Sequence, residues 1–270
     1  MTPCVHTLWQ DLISIRETTP LIHNITNYVV MNNTANALLA LGASPVMAHA
    51  LNEVEEMVNL AAALVINIGT LNDDWIAAME TAMLFAKQQK KPIIFDPVGA
   101  GATNYRTETT RKLLNIATPT VIRGNASEIA AISNQNITTK GVDSTQDSQT
   151  VVRVAQTLAN LYQCTIVISG AVDFIVSKER IFQIKNGHPL MTKVTGMGCT
   201  ATALTGAFLA VNSDATIAAT HAIAVMGIAG EIAAEKSAGP GTLQLNFLDA
   251  LYNLKAEDIA NRLKLTQFNY

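Results

Sequence analysis

Thr195-Gly196-Met197-Gly198-Cys199 precedes an apolar run, Thr200-Ala201-Thr202-Ala203-Leu204, that reads as a helix. Two glycines at such a start leave backbone N–H groups bare, and bare N–H groups at a helix N-terminus bind anions. Charge developing on a transferred phosphoryl group would be stabilised there. The same helix end predicts a lowered pKa for Cys199. Taken alone, the stretch is also explained by a glycine turn before a buried helix, with Cys199 as a small core residue. The loop has neither the Lys-Ser/Thr ending of a P-loop nor the spacing of a dinucleotide fingerprint.

Arg123-Gly124-Asn125-Ala126-Ser127-Glu128 follows a short apolar run. Asn125 and Glu128 are three apart, so both can face one side of a helix start. A carboxylate there could hold Mg²⁺ directly or through water, because Mg²⁺ prefers oxygen ligands and retains waters. A capping box, with Asn125 as cap and Glu128 three positions on, fits the same letters. Asp96-Pro97-Val98-Gly99-Ala100-Gly101 places a second carboxylate at the end of an apolar run, and an Asp-Pro turn is its plain alternative. His23 to Asn32 and Ser44 to His49 gather Asn, Thr and apolar residues, which suits a half-buried wall around a small polar ligand. A helix start plus core residues would give the same composition. The histidines, at 6, 23, 49, 188 and 221, show no metal-ligand spacing. No Ser-His-Asp order is legible.

Positioning these groups requires an alternating scaffold. Helices are predicted over His23–Leu41, stopped by Gly42, and over Glu53–Leu64, Asp74–Gln89, Thr107–Ala117 and Thr150–Tyr162. Short strands fall at Ser44–Met47, Val65–Gly69, Pro92–Asp96, Thr120–Ile122 and Thr165–Ser169. Asp173–Lys178 and Arg180–Lys185 read as a hairpin region, with Asn186-Gly187 as a turn signal. Three helices, from about Gly198, Asp214 and Leu245, close the chain. Strands alternating with helices predict an α/β fold: a mostly parallel central sheet with helices on both faces. Ligands in such folds bind at the carboxyl ends of the strands. Asp96, Arg123, Asn125 and Ser169 all follow strands.

Composition narrows the function. The 270 residues are expected to form one domain, 1–270, with no linker, repeat or low-complexity segment. Hydrophobic residues make up 49% and aromatic residues only 5%, so small aliphatic side chains carry the core. The net charge of −3, with no basic cluster, argues against nucleic acid as a partner. Charged residues are only 14%, which suggests an oligomer that buries further surface. Cys4, Cys164 and Cys199 lie far apart, so structural zinc and disulfides are poor readings and a reducing cytoplasm fits. Residues 1–16 do not read as a signal peptide. Ala215 to Ala234 approaches membrane length but reads as a buried core helix rather than a membrane span.

The order of the pieces resembles the ribokinase superfamily: a strand-end Asp, then Asn-x-x-Glu after a strand, then Gly-x-Gly before a helix. Within it, His23–Asn32, Leu41–His49 and Asp96–Thr103 resemble the hydroxyethylthiazole kinases. The resemblance runs from about Leu21 to Gly241. It implies a ribokinase-like fold and transfer of the γ-phosphoryl group of ATP, with Mg²⁺, to 4-methyl-5-(2-hydroxyethyl)thiazole, a step of thiamine salvage. It also implies a homotrimer with active sites between subunits. Carried over by motif, Asp96 and Glu128 resemble the acids that organise Mg²⁺ and phosphate. Arg123 and Ser169 resemble ATP contacts, with Asn125 beside them. Met47, Asn27 and Gly196 resemble thiazole-site residues, and Cys199 stands where most sugar kinases of the superfamily carry an Asp base. On that reading Cys199→Ala lowers turnover strongly and Cys199→Asp stays active. A kinase for another small alcohol, such as a hydroxymethylpyrimidine or a sugar, is the nearest rival, and a non-catalytic thiazole- or nucleotide-binding protein is the next.

Overall fold

Helix and strand alternate along the first two thirds of the chain. The order is α1 (Val5–Thr18), β1 (Leu21–Ile25), α2 (Met31–Leu41), β2 (Ser44–Val46), α3 (Val54–Leu60), β3 (Ala63–Asn67) and α4 (Asp73–Gln88). Then come β4 (Ile93–Asp96), α5 (Asn104–Ile116), β5 (Val121–Asn125), α6 (Ala126–Ile132), α7 (Ser148–Tyr162) and β6 (Thr165–Ser169). The last third holds β7 (Asp173–Val176), β8 (Ile181–Ile184), a short 3-10 turn (Pro189–Lys193), α8 (Met197–Val211), α9 (Ala215–Glu235), α10 (Pro240–Asn253), α11 (Ala256–Arg262) and β9 (Leu265–Phe268). This computed structural model describes residues 2–133 and 148–268.

The strands form one sheet in the order β2-β1-β3-β4-β5-β6-β7-β8-β9. The pairings from β2 to β6 are parallel, and those from β6 to β9 are antiparallel. One apolar core lies between one sheet face and α1, α2 and α8–α11, and a second lies between the other face and α3–α7. The central strands are therefore covered on both sides. All five residues of β3 are buried, as expected for a parallel strand inside an α/β sheet. Side-chain caps start several helices: Asn72 accepts from Trp75 N, Thr103 from Arg106 N, and Asp214 from Thr216 N and Ile217 N. α9 is apolar on every side and long enough to cross a membrane by length and composition, yet it lies among the buried core residues.

Several boundaries differ from the sequence reading. The stretch read as one helix from His23 is a strand, β1, a turn, and then α2. β1 is sandwiched between β2 and β3, so its polar His23 and Asn24 are buried and blur the strand pattern. The helix expected over Glu53–Leu64 stops at Leu60, and Ala63 and Leu64 open β3. The expected hairpin is present as β7 and β8, turning at Ser177 to Arg180, where Ser177 N donates to Arg180 O at 2.9 Å, and Asn186-Gly187 lies just past its second strand. Four helices, not three, close the chain, and β9 then adds an edge strand to β8.

Candidate active site

The expected site residues gather at one end of the sheet, the carboxyl ends of its parallel strands. Met47 is one residue past β2, and Asn27 lies two past β1. Asp96 ends β4, Arg123 is the middle residue of β5 and Asn125 its last, and Ser169 ends β6. Glu128 sits in the first turn of α6, and Gly196 and Cys199 flank the start of α8. α8 crosses over β1, β3 and β4 and so brings its N-terminus to this end. Gly196 adopts φ 84°, a left-handed conformation that favours glycine, and it caps α8 with no side chain. The first-turn N–H groups are thus left bare, as an anion site requires.

A buried polar chain runs beneath that helix end. Asn27 Nδ2 donates to Asn67 Oδ1 at 2.8 Å and to Cys199 Sγ at 3.5 Å. Asn67 Nδ2 donates to Asp96 Oδ2 at 2.9 Å, and Thr202 Oγ1 donates to the same oxygen at 2.7 Å. Arg123 Nη1 stands 3.9 Å from it. Asn67 also accepts from Gly69 N, so its amide is fixed in orientation and in turn fixes Asn27. Asn67 and Thr202 were missed in the sequence. Asn67 ends β3 as Asp96 ends β4, and the strand-end rule could have found it.

Arg123 is buried, and its Nε has no hydrogen-bond partner among the described residues. An unsatisfied guanidinium nitrogen under a bare helix end suits an oxyanion. A Cβ on Gly198 would lie 2.8 Å from Arg123 Nη1, so any side chain there would push the guanidinium aside. Glu128 clasps two loops: Oε1 accepts from Gly99 N at 2.9 Å and Oε2 from Asn125 N at 2.8 Å. Asn125 Oδ1 accepts from Glu128 N and Ser127 Oγ, which completes the capping box. Ser169 Oγ donates to Gly124 O at 3.3 Å and so ties β6 to β5.

Burial dominates the electrostatics. It pushes Asp96 up to about 6, against the pull of Arg123 and Thr202. Cys199 is pushed up to about 11 by burial and then by the neighbouring Asp96 charge, with the Asn67 and Asn27 amides and Arg123 opposing. The lowered thiol pKa expected from the helix end is therefore overturned: desolvation and a like charge outweigh the helix end, and Cys199 is a thiol at neutral pH. Asp173, at the start of β7, is also raised to about 6 by burial, while Gly170 N–H and Arg123 pull it down. Sequence reasoning reached it only as a hairpin start.

Beside the helix end lies a cleft of about 680 Å³. Arg123, Ser169, Asp173, Gly196 and Gly198 line it, with Ile223 and Met226 of α9. Asn27, Met47, Asp96, Asn125, Glu128 and Cys199 are outside its lining. Among the described residues no cluster of three His, Cys, Asp or Glu is arranged to hold a metal. Asp96 and Glu128 nevertheless suit a hydrated Mg²⁺. Asp96 Oδ1 takes no hydrogen bond among the described residues, and each Glu128 oxygen accepts only one.

Known proteins share both sequence and fold with this one. A "Hydroxyethylthiazole kinase" of Syntrophus aciditrophicus (strain SB) is 62% identical over 258 residues, 95% of this chain and 96% of that one. The structure of a hydroxyethylthiazole kinase protein from Pyrococcus horikoshii OT3 superposes with a TM-score of 0.91 at 42% identity, covering 98% of this chain and 100% of that chain. A ribokinase-like superfamily protein of Enterococcus faecalis V583 has a TM-score of 0.61 at 15% identity, covering 86% of each chain, and shows the shared fold. The sequence model of the hydroxyethylthiazole kinase family matches residues 12–257, and the chain belongs to that family.

Proposed function

We propose that this protein transfers the γ-phosphoryl group of ATP to the hydroxyl of 4-methyl-5-(2-hydroxyethyl)thiazole, as a step of thiamine salvage in the cytoplasm. The observation that carries the reading is the buried, half-satisfied Arg123 beneath the bare N-terminus of α8, at the edge of the cleft. The names of relatives with over 50% identity along nearly the whole chain supply the acceptor. One nine-stranded sheet drawing on the chain from Leu21 to Phe268 supports a single domain.

Each residue takes a role. Arg123 and the first-turn N–H groups of α8 receive the negative charge of the transferring phosphoryl group. Ser169 and Asn125 border the ATP phosphates. Asp96, through Oδ1, and Glu128, through its spare lone pairs, would hold Mg²⁺, which would supply neutralisation of phosphate charge. Asn27, Met47 and Gly196 wall the thiazole. Cys199 touches the acceptor hydroxyl as a thiol and orients it, and does not act as a thiolate base. Phosphoryl transfer of this kind depends mostly on positioning, so proton removal can lag behind bond formation. Tyr28 and Val29, each 60% exposed beside Asn27, support a homotrimer in which a neighbouring subunit completes the wall.

Incubating the protein with Mg-ATP and the thiazole should yield the thiazole phosphate ester and ADP. Ribose and hydroxymethylpyrimidine should be phosphorylated far more slowly. Preference for either of these over the thiazole would defeat the assignment of the acceptor. ATP binding without turnover of any alcohol would leave a binding protein.

A further inference from the structure

Away from Arg123 the cleft wall is mostly apolar: Pro189, Met191, Val194, Ala201, Ile223 and Met226. The segment that forms much of this wall spends most of its N–H groups within the protein. Gly187 N donates to Glu231 Oε1 at 3.1 Å, and His188 N donates to Met191 Sδ at 3.4 Å. Leu190 N donates to His188 Nδ1 at 3.2 Å, and Met191 N to His188 O at 2.9 Å. Residue 189 is proline and has no N–H.

The side chains are committed too. Asn186 is buried, its Nδ2 donates to Arg262 O at 2.7 Å and Glu231 Oε1 at 3.2 Å, and its Oδ1 accepts from Lys264 N at 2.8 Å. Thr192 Oγ1 donates to Pro189 O at 2.8 Å. His188 Nε2 takes no partner among the described residues, but His188 is exposed and water competes for it.

We infer that the cleft recognises a triphosphate and not a particular base, so that the donors of this enzyme are nucleoside triphosphates in general, purine and pyrimidine alike. This rests on reading the cleft as the nucleotide site. A site built with unengaged hydrogen-bond groups rejects a wrong partner by roughly 10⁴ to 10⁵, because those groups are left unpaired. An apolar wall discriminates by only about 10 to 200. With a volume of about 680 Å³, the cleft also has room for either purine. Charge recognition at Arg123 and α8 is common to every donor.

The test is kcat/KM for the magnesium salts of ATP, GTP, CTP and UTP with saturating thiazole, alongside displacement of a fluorescent ATP analogue by each. All four donors should fall within about a hundredfold of one another. Arg123→Ala should weaken all four by a similar factor. ATP turnover with any of the others more than a hundredfold behind overturns the inference and leaves the nucleotide site standing. No turnover and no displacement by any triphosphate overturns the nucleotide reading of the cleft, and this inference with it.

Discussion

Cys199, Asp96 and Arg123 share one buried spot, and each changes what the others can do. The Asp96 charge helps to hold Cys199 near 11, so a thiolate is scarce at neutral pH. A true general base contributes about 10² to 10⁴. Cys199→Ala should therefore lower kcat by less than about tenfold and leave the KM for ATP unchanged, while Cys199→Asp should match or exceed the wild type. A loss beyond a hundredfold in the alanine variant would restore the thiolate base. Asp96 gives a second prediction, on stability. Its folded pKa, about 6, lies above the ordinary 3.8. Between these values the unfolded chain releases a proton that the folded chain keeps, so stability falls as pH rises through this window and stays lowered above it. Asp96→Asn retains an acceptor for Asn67 and Thr202 and carries no charge. Its melting temperature should match the wild type near pH 4 and exceed it at pH 7, a gain of about 1 to 3 kcal/mol, with activity lost. Equal melting temperatures at pH 7 would show that the buried charge costs nothing.

At the scale of elements, the start of α8 sets the site. Gly198→Ala puts a methyl group against the tip of the Arg123 side chain, which is flexible enough to move. Folding should be unaffected or slightly favoured, since alanine is the better helix former by up to about 1 kcal/mol. Nucleotide KM should rise about three- to tenfold, from displacement of a charge-assisted contact. Calorimetry and steady-state kinetics on one preparation separate the two effects, and an unchanged KM would remove Arg123 from the nucleotide site. The same elements show where sequence reading works. Strand ends followed by Asp96, Arg123 and Ser169 were legible because parallel strands are short apolar runs and their ends carry polar residues. β1 was not, because its inward positions hold His23 and Asn24, whose burial follows from neighbours remote in sequence. The relay through Asn67 and Thr202 was hidden for a similar reason: Asn67 meets Asp96 only through the pairing of β3 with β4, and Thr202 only where α8 crosses these strands. Local letters also favoured a low pKa for Cys199, because the helix start is local and the burial is not.

At the scale of the whole molecule, a low charge content and apolar side chains in water point to further association. Tyr28 packs at a 40° tilt against Trp75, with ring centroids 4.7 Å apart, yet stays 60% exposed, and Val29 beside it is equally open. Light scattering on the purified protein should report three copies of the 28.9 kDa chain. Val29→Asp should shift the mass toward one copy and reduce turnover with it, because burying an unpaired charge in an interface is costly. A monomeric wild type with full activity would show that the site is complete in one subunit.

The edge of the sheet has a bearing on synthesis. Asn186, on the cleft wall, is fastened to Arg262 O and Lys264 N, and Lys185 N donates to Lys264 O. The wall therefore waits for residues beyond 260, although the phosphate end of the cleft is built from residues up to about 200. Ribosomal products cut short before α11 would lack the backbone groups that fasten Asn186, and this wall of the cleft would be left untied.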